Sequence, residues 1–310
     1  MGQKSYHTKE QSMRVFVTGA TGGIGSVVVP ELLSAGHQVI GLARSERSAA
    51  ALQAAGASAV SGDLTTLDVL RDAARAADGV IHLAFSNDFT RFQESAEEEG
   101  TALAAIGEVL IGSGKPLVLA SGTPAVPGRL STEDDQLPSE GPIGGRGRTA
   151  LAALALADQG VRPSVVRLPR SVHDRGGPYG FAGLLIEAAQ RSGISGYVGD
   201  GSQRWPAVNR RDAAVLFRLA LEQAEPGEAL HAVGDEGDTM LSIAETIGRQ
   251  LDLPVQPLPA DGFGFLGQMF ALDQPASSAR TRARFGWRPT RPGLLADLAA
   301  GDYPAPRSAA

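Results

Sequence analysis

Residues 18–25 read Thr18-Gly19-Ala20-Thr21-Gly22-Gly23-Ile24-Gly25, a Gly-x-x-Gly-x-x-Gly run between a short apolar stretch, residues 14–18, and a longer run of helical period, residues 24–34. A strand that turns through glycines into a helix presents free N–H groups at the helix N-terminus, where an anion is stabilised. Gly19 permits the tight turn, Gly22 lets the backbone approach a pyrophosphate, and Gly25 lets the helix pack on the strand. Thr21, Gly23 and Ile24 complete the loop that would line such a group.

Outward from this loop, β-rich runs alternate with Ala/Leu-rich runs of helical period. Strands are expected over residues 14–18, 38–43, 59–61, 80–85, 117–121 and 164–168, and helices over 24–34, 46–55, 67–77, 93–111 and 149–159. That alternation predicts βαβ units and an α/β doubly wound parallel sheet, with the ligand crevice beyond the strand C-termini. After residue 168 the alternation loosens. Gly/Pro-rich loops at 174–180 and 196–206 separate helices near 181–191, 211–222 and 241–251, while 254–259 and 262–270 read as loops or as a short strand and a helix. The expected organisation is a polar extension over residues 1–12, a dinucleotide-binding domain over 13–170, and a smaller substrate-binding α/β layer over 171–310.

Composition narrows the function. The 310 residues are 43% hydrophobic and 20% charged, with 28 Lys+Arg against 34 Asp+Glu for a net charge of −6, and no Cys. No basic footprint favours nucleic acid or an anionic membrane surface, and thiol chemistry is out. The longest apolar run, residues 150–157, is far short of the roughly 20 residues that span a bilayer. A cytoplasmic protein acting on a small molecule, as a monomer or homodimer, is the expectation. The acidic runs 97–99 and 133–135 read as solvated faces. His37, His82, His173 and His231 are scattered over different elements, so no metal is expected.

The glycine spacing resembles that of the short-chain dehydrogenase/reductase superfamily, and later segments resemble its extended and atypical branch, the epimerase/dehydratase-like proteins. Gly62-Asp63-Leu64 resembles the adenine-contacting stretch, although Asp63 also suits a helix cap. Ile81-His82-Leu83-Ala84, followed by Phe85, resembles the fourth-strand motif beside the cofactor. Ser121-Gly122-Thr123 ends the fifth strand where the family has its active-site Ser/Thr. Arg167-Leu168-Pro169-Arg170-Ser171-Val172-His173 resembles the Arg-Pro-x-x-Val-Tyr-Gly run beside the nicotinamide. Residues 205–212 resemble the Val-His-Val-x-Asp segment, and Phe285-Gly286-Trp287-Arg288-Pro289 the C-terminal Leu-Gly-Trp-x-Pro.

The resemblance implies a nicotinamide dinucleotide. The second strand ends Ala43-Arg44-Ser45 with no acidic residue to bond a ribose 2′-OH, which favours NADP(H) over NAD(H), with Arg44 and Ser45 at the 2′-phosphate. One family feature is missing. Counting back from Gly160, the Tyr and Lys of the proton relay fall on or near Gly145 and Thr149, and no Tyr in the chain is followed by Lys four residues on. Reduction of a carbonyl or activated double bond by an NADP-dependent oxidoreductase fits that loss better than nucleotide-sugar epimerisation or dehydration. A non-catalytic NADP(H) sensor is the further alternative. Catalytic candidates are Thr123, with Ser121 if the register slips, and His173, whose ring exchanges protons near neutrality. Substrate-pocket candidates are Asn87, Arg146 (with Arg148 nearby), Tyr179, Trp205 and Asn209.

Overall fold

The computed structural model describes residues 12–86, 91–140 and 144–304. In chain order its elements are β1 (Arg14–Thr18), α1 (Gly25–Ser34), β2 (Gln38–Ala43), α2 (Glu46–Ala54), β3 (Ser58–Ser61), α3 (Leu67–Ala76), β4 (Gly79–His82), α4 (Phe92–Leu110), β5 (Pro116–Gly122), α5 (Gly144–Ala155), β6 (Arg162–Leu168) and β7 (Ser171–His173). They continue with α6 (Phe181–Ser192), β8 (Ser195–Val198), β9 (Arg204–Asn209), α7 (Arg210–Gln223), β10 (Glu228–His231), β11 (Asp235–Thr239), α8 (Met240–Leu251), β12 (Val255–Leu258), α9 (Gly267–Phe270), α10 (Ala279–Phe285) and α11 (Leu294–Ala299).

Seven parallel strands form the main sheet in the order β10-β6-β5-β4-β1-β2-β3. The chain winds outward from β1 in both directions, so strand order reverses between β1 and β4, and the crevice opens at their C-terminal ends. This is the α/β doubly wound sheet that the alternation implied. Its seventh strand, β10, comes from beyond residue 170 and pairs with β6, so the C-terminal region contributes to the sheet as well as to its own layer.

Alternate strand residues feed opposite faces, as a pleat requires. Val15, Val17, Ile81, Val118 and Val166 pack toward α1 and α7 on one face. Phe16, Ile40, Val80, Leu117 and Val165 pack with the apolar stripes of α3, α4 and α5 on the other. A third cluster, built on Tyr179, Trp205, Met240, Ile243 and Phe270, is the core of the C-terminal layer. There β11, β9 and β7 form a small sheet and β12 pairs with β8. No helix among the described residues is long and apolar enough to cross a membrane.

Candidate active-site crevice

The glycine loop folds as its spacing demands. Gly19 sits at φ +65°, and a Cβ there would lie 2.7 Å from Ala84 N, because the chain leaving β4 passes directly beneath. A Cβ on Gly25 would run into Gly19 O and Ala20, so that glycine is needed for packing. A Cβ on Gly22 would meet only Gly19 O, at 3.2 Å. Thr21, Gly22 and Gly23 are exposed, and no side chain caps the α1 N-terminus. The loop therefore offers uncapped backbone to a phosphate, a cradle that a side chain at residue 22 would fill.

Behind it, Thr18 Oγ1 accepts from Leu83 N and Ala84 N and lies 2.9 Å from His82 Nδ1, which fixes the end of β4 against β1. Burial, and then the charge of Arg146, push the His82 ring down to about 4, so it stays neutral. Leu83, Ala84 and Phe85 remain partly exposed along the rim.

Arg44 and Ser45 are exposed at the end of β2, where Ser45 also caps α2 by accepting from Ser48 N. Asp63 is exposed too, but it is no helix cap: its Oδ1 accepts from Thr65 N and Thr65 Oγ1, and these bonds hold its carboxyl below the usual range. Leu64 follows, partly exposed.

At the end of β5, Ser121 and Thr123 are both 5% exposed. Thr123 N donates to Leu168 O, and Thr123 O accepts from Gln274 Nε2, whose Oε1 in turn accepts from Arg170. Pro169 is buried and Val172 half-buried, packed on the core beside α1 and α7.

Several expected pocket residues lie elsewhere. His173 is a strand residue with no exposed surface, bonded to Asp297; a proton-exchanging loop histidine was expected, and the structure corrects that placement. Tyr179 is 1% exposed, donates to Asp297 O and meets the Tyr303 ring edge-on. Trp205 is wholly buried between Phe270 and the Arg170 guanidinium. Asn209 caps α7 by accepting from Arg211 N. All three side chains are buried. Asn87 lies outside the described residues.

The α5 register also shifts by one. Gly145 and Thr149, the counted Tyr and Lys positions, open on a surface groove between α4 and α5. Arg146 is the residue that reaches the crevice. It donates to Ala120 O on β5 and to both oxygens of Glu99, and its guanidinium lies 4.2 Å over the Phe85 ring. Arg148 instead donates to Ser139 O.

Both acidic runs are only partly solvated. Glu99 is 1% exposed, and burial raises its carboxyl although Arg146 opposes the rise. Glu133 is 6% exposed and accepts from Thr281 N and Oγ1. The signal for Glu99 was available, since it falls on the i, i+3 stripe Ala96, Glu99, Ala102 and Leu103 that faces the core. Nothing in the sequence pattern pointed to Gln274 or Asp297. Among the described residues no three His, Asp or Glu side chains are grouped to hold a metal.

A Rossmann-type crevice with a glycine loop at its centre is the architecture of a dinucleotide-binding α/β protein. The model of the NAD dependent epimerase/dehydratase family matches residues 15–233, and the chain belongs to that family. An uncharacterised protein of Schizosaccharomyces pombe is 45% identical over 297 residues, covering 94% of this chain and 100% of that protein. One of Saccharomyces cerevisiae is 42% identical over 295 residues, covering 93% and 98%. Among solved structures, UDP-glucose 4-epimerase of Thermotoga maritima with UDP-glucose superposes at TM-score 0.75 with 20% identity over 94% of this chain and 97% of that one. A dTDP-glucose 4,6-dehydratase of Streptomyces venezuelae with NAD bound superposes at TM-score 0.74 with 21% identity, covering 94% and 96%.

Proposed function

We propose that the chain is an NADP(H)-dependent oxidoreductase that reduces a carbonyl or activated double bond of a small organic molecule, in the cytoplasm, as a monomer or homodimer. One observation carries the choice of reduction: the crevice side of α5 presents Arg146 and no Tyr or Lys. Transient oxidation of a sugar hydroxyl needs a base at that place. Reduction needs only a hydrogen bond to the oxygen and a proton that water can supply.

The open loop at Thr21, Gly22, Gly23 and Ile24 suits the pyrophosphate, Arg44 and Ser45 the 2′-phosphate, and Asp63 and Leu64 the adenine end. Leu83, Ala84, Phe85, Ser121, Pro169 and Val172 border the place for the nicotinamide. The bound dinucleotide supplies hydride. Thr123 hydrogen-bonds the substrate carbonyl, in a pocket that its bond to Gln274 keeps in shape.

NADPH oxidation followed against a panel of aldehydes, ketones and enones tests the reading. Turnover of any member supports it, whereas tight NADPH binding with no turnover replaces it with a sensor role. The neighbours solved with UDP-glucose or named for dTDP-glucose favour a second reading, a nucleotide-sugar epimerase or dehydratase. Conversion of UDP-glucose or dTDP-glucose, followed by NMR, would establish that instead.

A further inference from the structure

We propose that Arg146, clamped by Glu99, polarises the substrate carbonyl together with Thr123, donating from Nη1 to the same oxygen at the helix position where the family resemblance implies a tyrosine. The inference rests on the reductase reading above and names a catalytic residue for it.

Position comes first. Nη2 donates to Ala120 O at 2.8 Å, one residue before Ser121, and the guanidinium covers Phe85 just beyond β4. Both strands end in the crevice, so the guanidinium sits on its rim. The side chain is 26% exposed whereas that of Glu99 is 2% exposed, so the pair has one solvent-facing member.

The hydrogen bonds then settle which donors are free. Nε donates to Glu99 Oε2 at 3.2 Å and Nη2 to Oε1 at 3.0 Å, a bidentate grip that fills one edge of the fork. The second N–H of Nη2 goes to Ala120 O. Nη1, with two N–H groups, has no partner among the described residues. A carboxylate substrate would want the edge that Glu99 already fills. With the bidentate edge taken, Nη1 can point one N–H at a single carbonyl oxygen.

An arginine does not release its proton near neutral pH, so it acts by hydrogen bonding alone. As the carbonyl carbon takes up hydride, its π electron pair moves to the oxygen, which accepts from Nη1 and then takes a proton from water. The carbonyl is reduced to the alcohol and the dinucleotide is oxidised. Glu99 is a positioning residue, since it reaches the substrate only through Arg146.

The experiment uses the full chain and whichever panel carbonyl the wild type reduces. Arg146→Gln should lower kcat by about 10² to 10³, the range for losing one donor to a developing oxyanion, with NADPH affinity changed less than about twofold. In the complex with NADP+, where no hydride is available, the isotope-edited infrared C=O stretch of the bound carbonyl should lie at lower frequency in the wild type than in Arg146→Gln. Arg146→Lys should recover part of both. If Arg146→Gln fails to fold because Glu99 is left unpaired, the double variant Glu99→Gln/Arg146→Gln removes that charge and is read instead. Wild-type kcat with an unshifted stretch, or a loss confined to NADPH affinity, overturns the inference and leaves the reductase reading standing. No turnover of any panel carbonyl by the wild type overturns both.

Discussion

His173 Nδ1 lies 2.7 Å from Asp297 Oδ2, and the two side chains are 0% and 4% exposed. The bond joins β7 to α11 across 124 residues of sequence and gathers Asn209 Nδ2 and the Tyr179 hydroxyl around the same aspartate. Removing one partner of a buried, hydrogen-bonded pair costs roughly 3–5 kcal/mol, because the other is left uncompensated. His173→Phe should therefore lower the melting temperature by several degrees while the folded protein keeps its turnover. A variant of unchanged stability whose turnover drops 10²-fold or more would restore the ring to the chemistry.

Arg44 is exposed just beyond β2, a strand that carries no acidic residue. A charge-assisted contact to a 2′-phosphate is worth about 1–3 kcal/mol, so Arg44→Ala should weaken NADPH binding by roughly 5- to 150-fold and leave NADH binding almost unchanged. Fluorescence titration with both cofactors checks this. Equal losses for the two would show that Arg44 does not read the phosphate.

The loop glycines should separate binding from folding. A side chain on Gly25 collides with backbone at Gly19 and Ala20, so Gly25→Ala should destabilise the fold itself. One on Gly22 meets Gly19 O at 3.2 Å and otherwise projects into open space, so Gly22→Val should fold and lose either dinucleotide. Thermal unfolding with calorimetric titration distinguishes the two. A folded Gly22→Val that binds normally would place the pyrophosphate elsewhere.

Asp238 on β11 is half-buried, and burial together with the nearby Asp235 charge raises its carboxyl to about 6. Its folded value exceeds its unfolded value of about 3.9, so folding favours the protonated acid. This group's contribution is most favourable below about pH 4, declines as pH climbs to about 6, and is a constant penalty above that. Asp238→Asn should therefore be more stable than wild type at pH 7.5, by about 1 kcal/mol after allowing for solvent screening, and equal to it at pH 4. Melting curves at both pH values test the sign. A stability difference independent of pH would rule it out.

The central strands and the glycine loop were legible in the sequence because each rests on local chemistry. A strand buried on both faces must be apolar along its length, and the runs 15–17 and 39–43 form the buried bodies of β1 and β2. Gly19 and Gly25 stand where a side chain would strike backbone, and Gly22 where it would fill the open cradle before the helix. The side of α5 that meets the crevice was decided by tertiary structure. Adjacent helix positions differ by about 100° around the axis, so composition cannot choose between Gly145 and Arg146. The choice was made by the chain crossing α5 at Pro138 and Ser139, which leaves no room for a side chain at Gly144 or Gly147, and by Glu99 waiting on α4. His173 and Asp297 show the same division. Neither segment names the other as its partner, and only the packing of α11 against β7, which removes water from both side chains, brings them together.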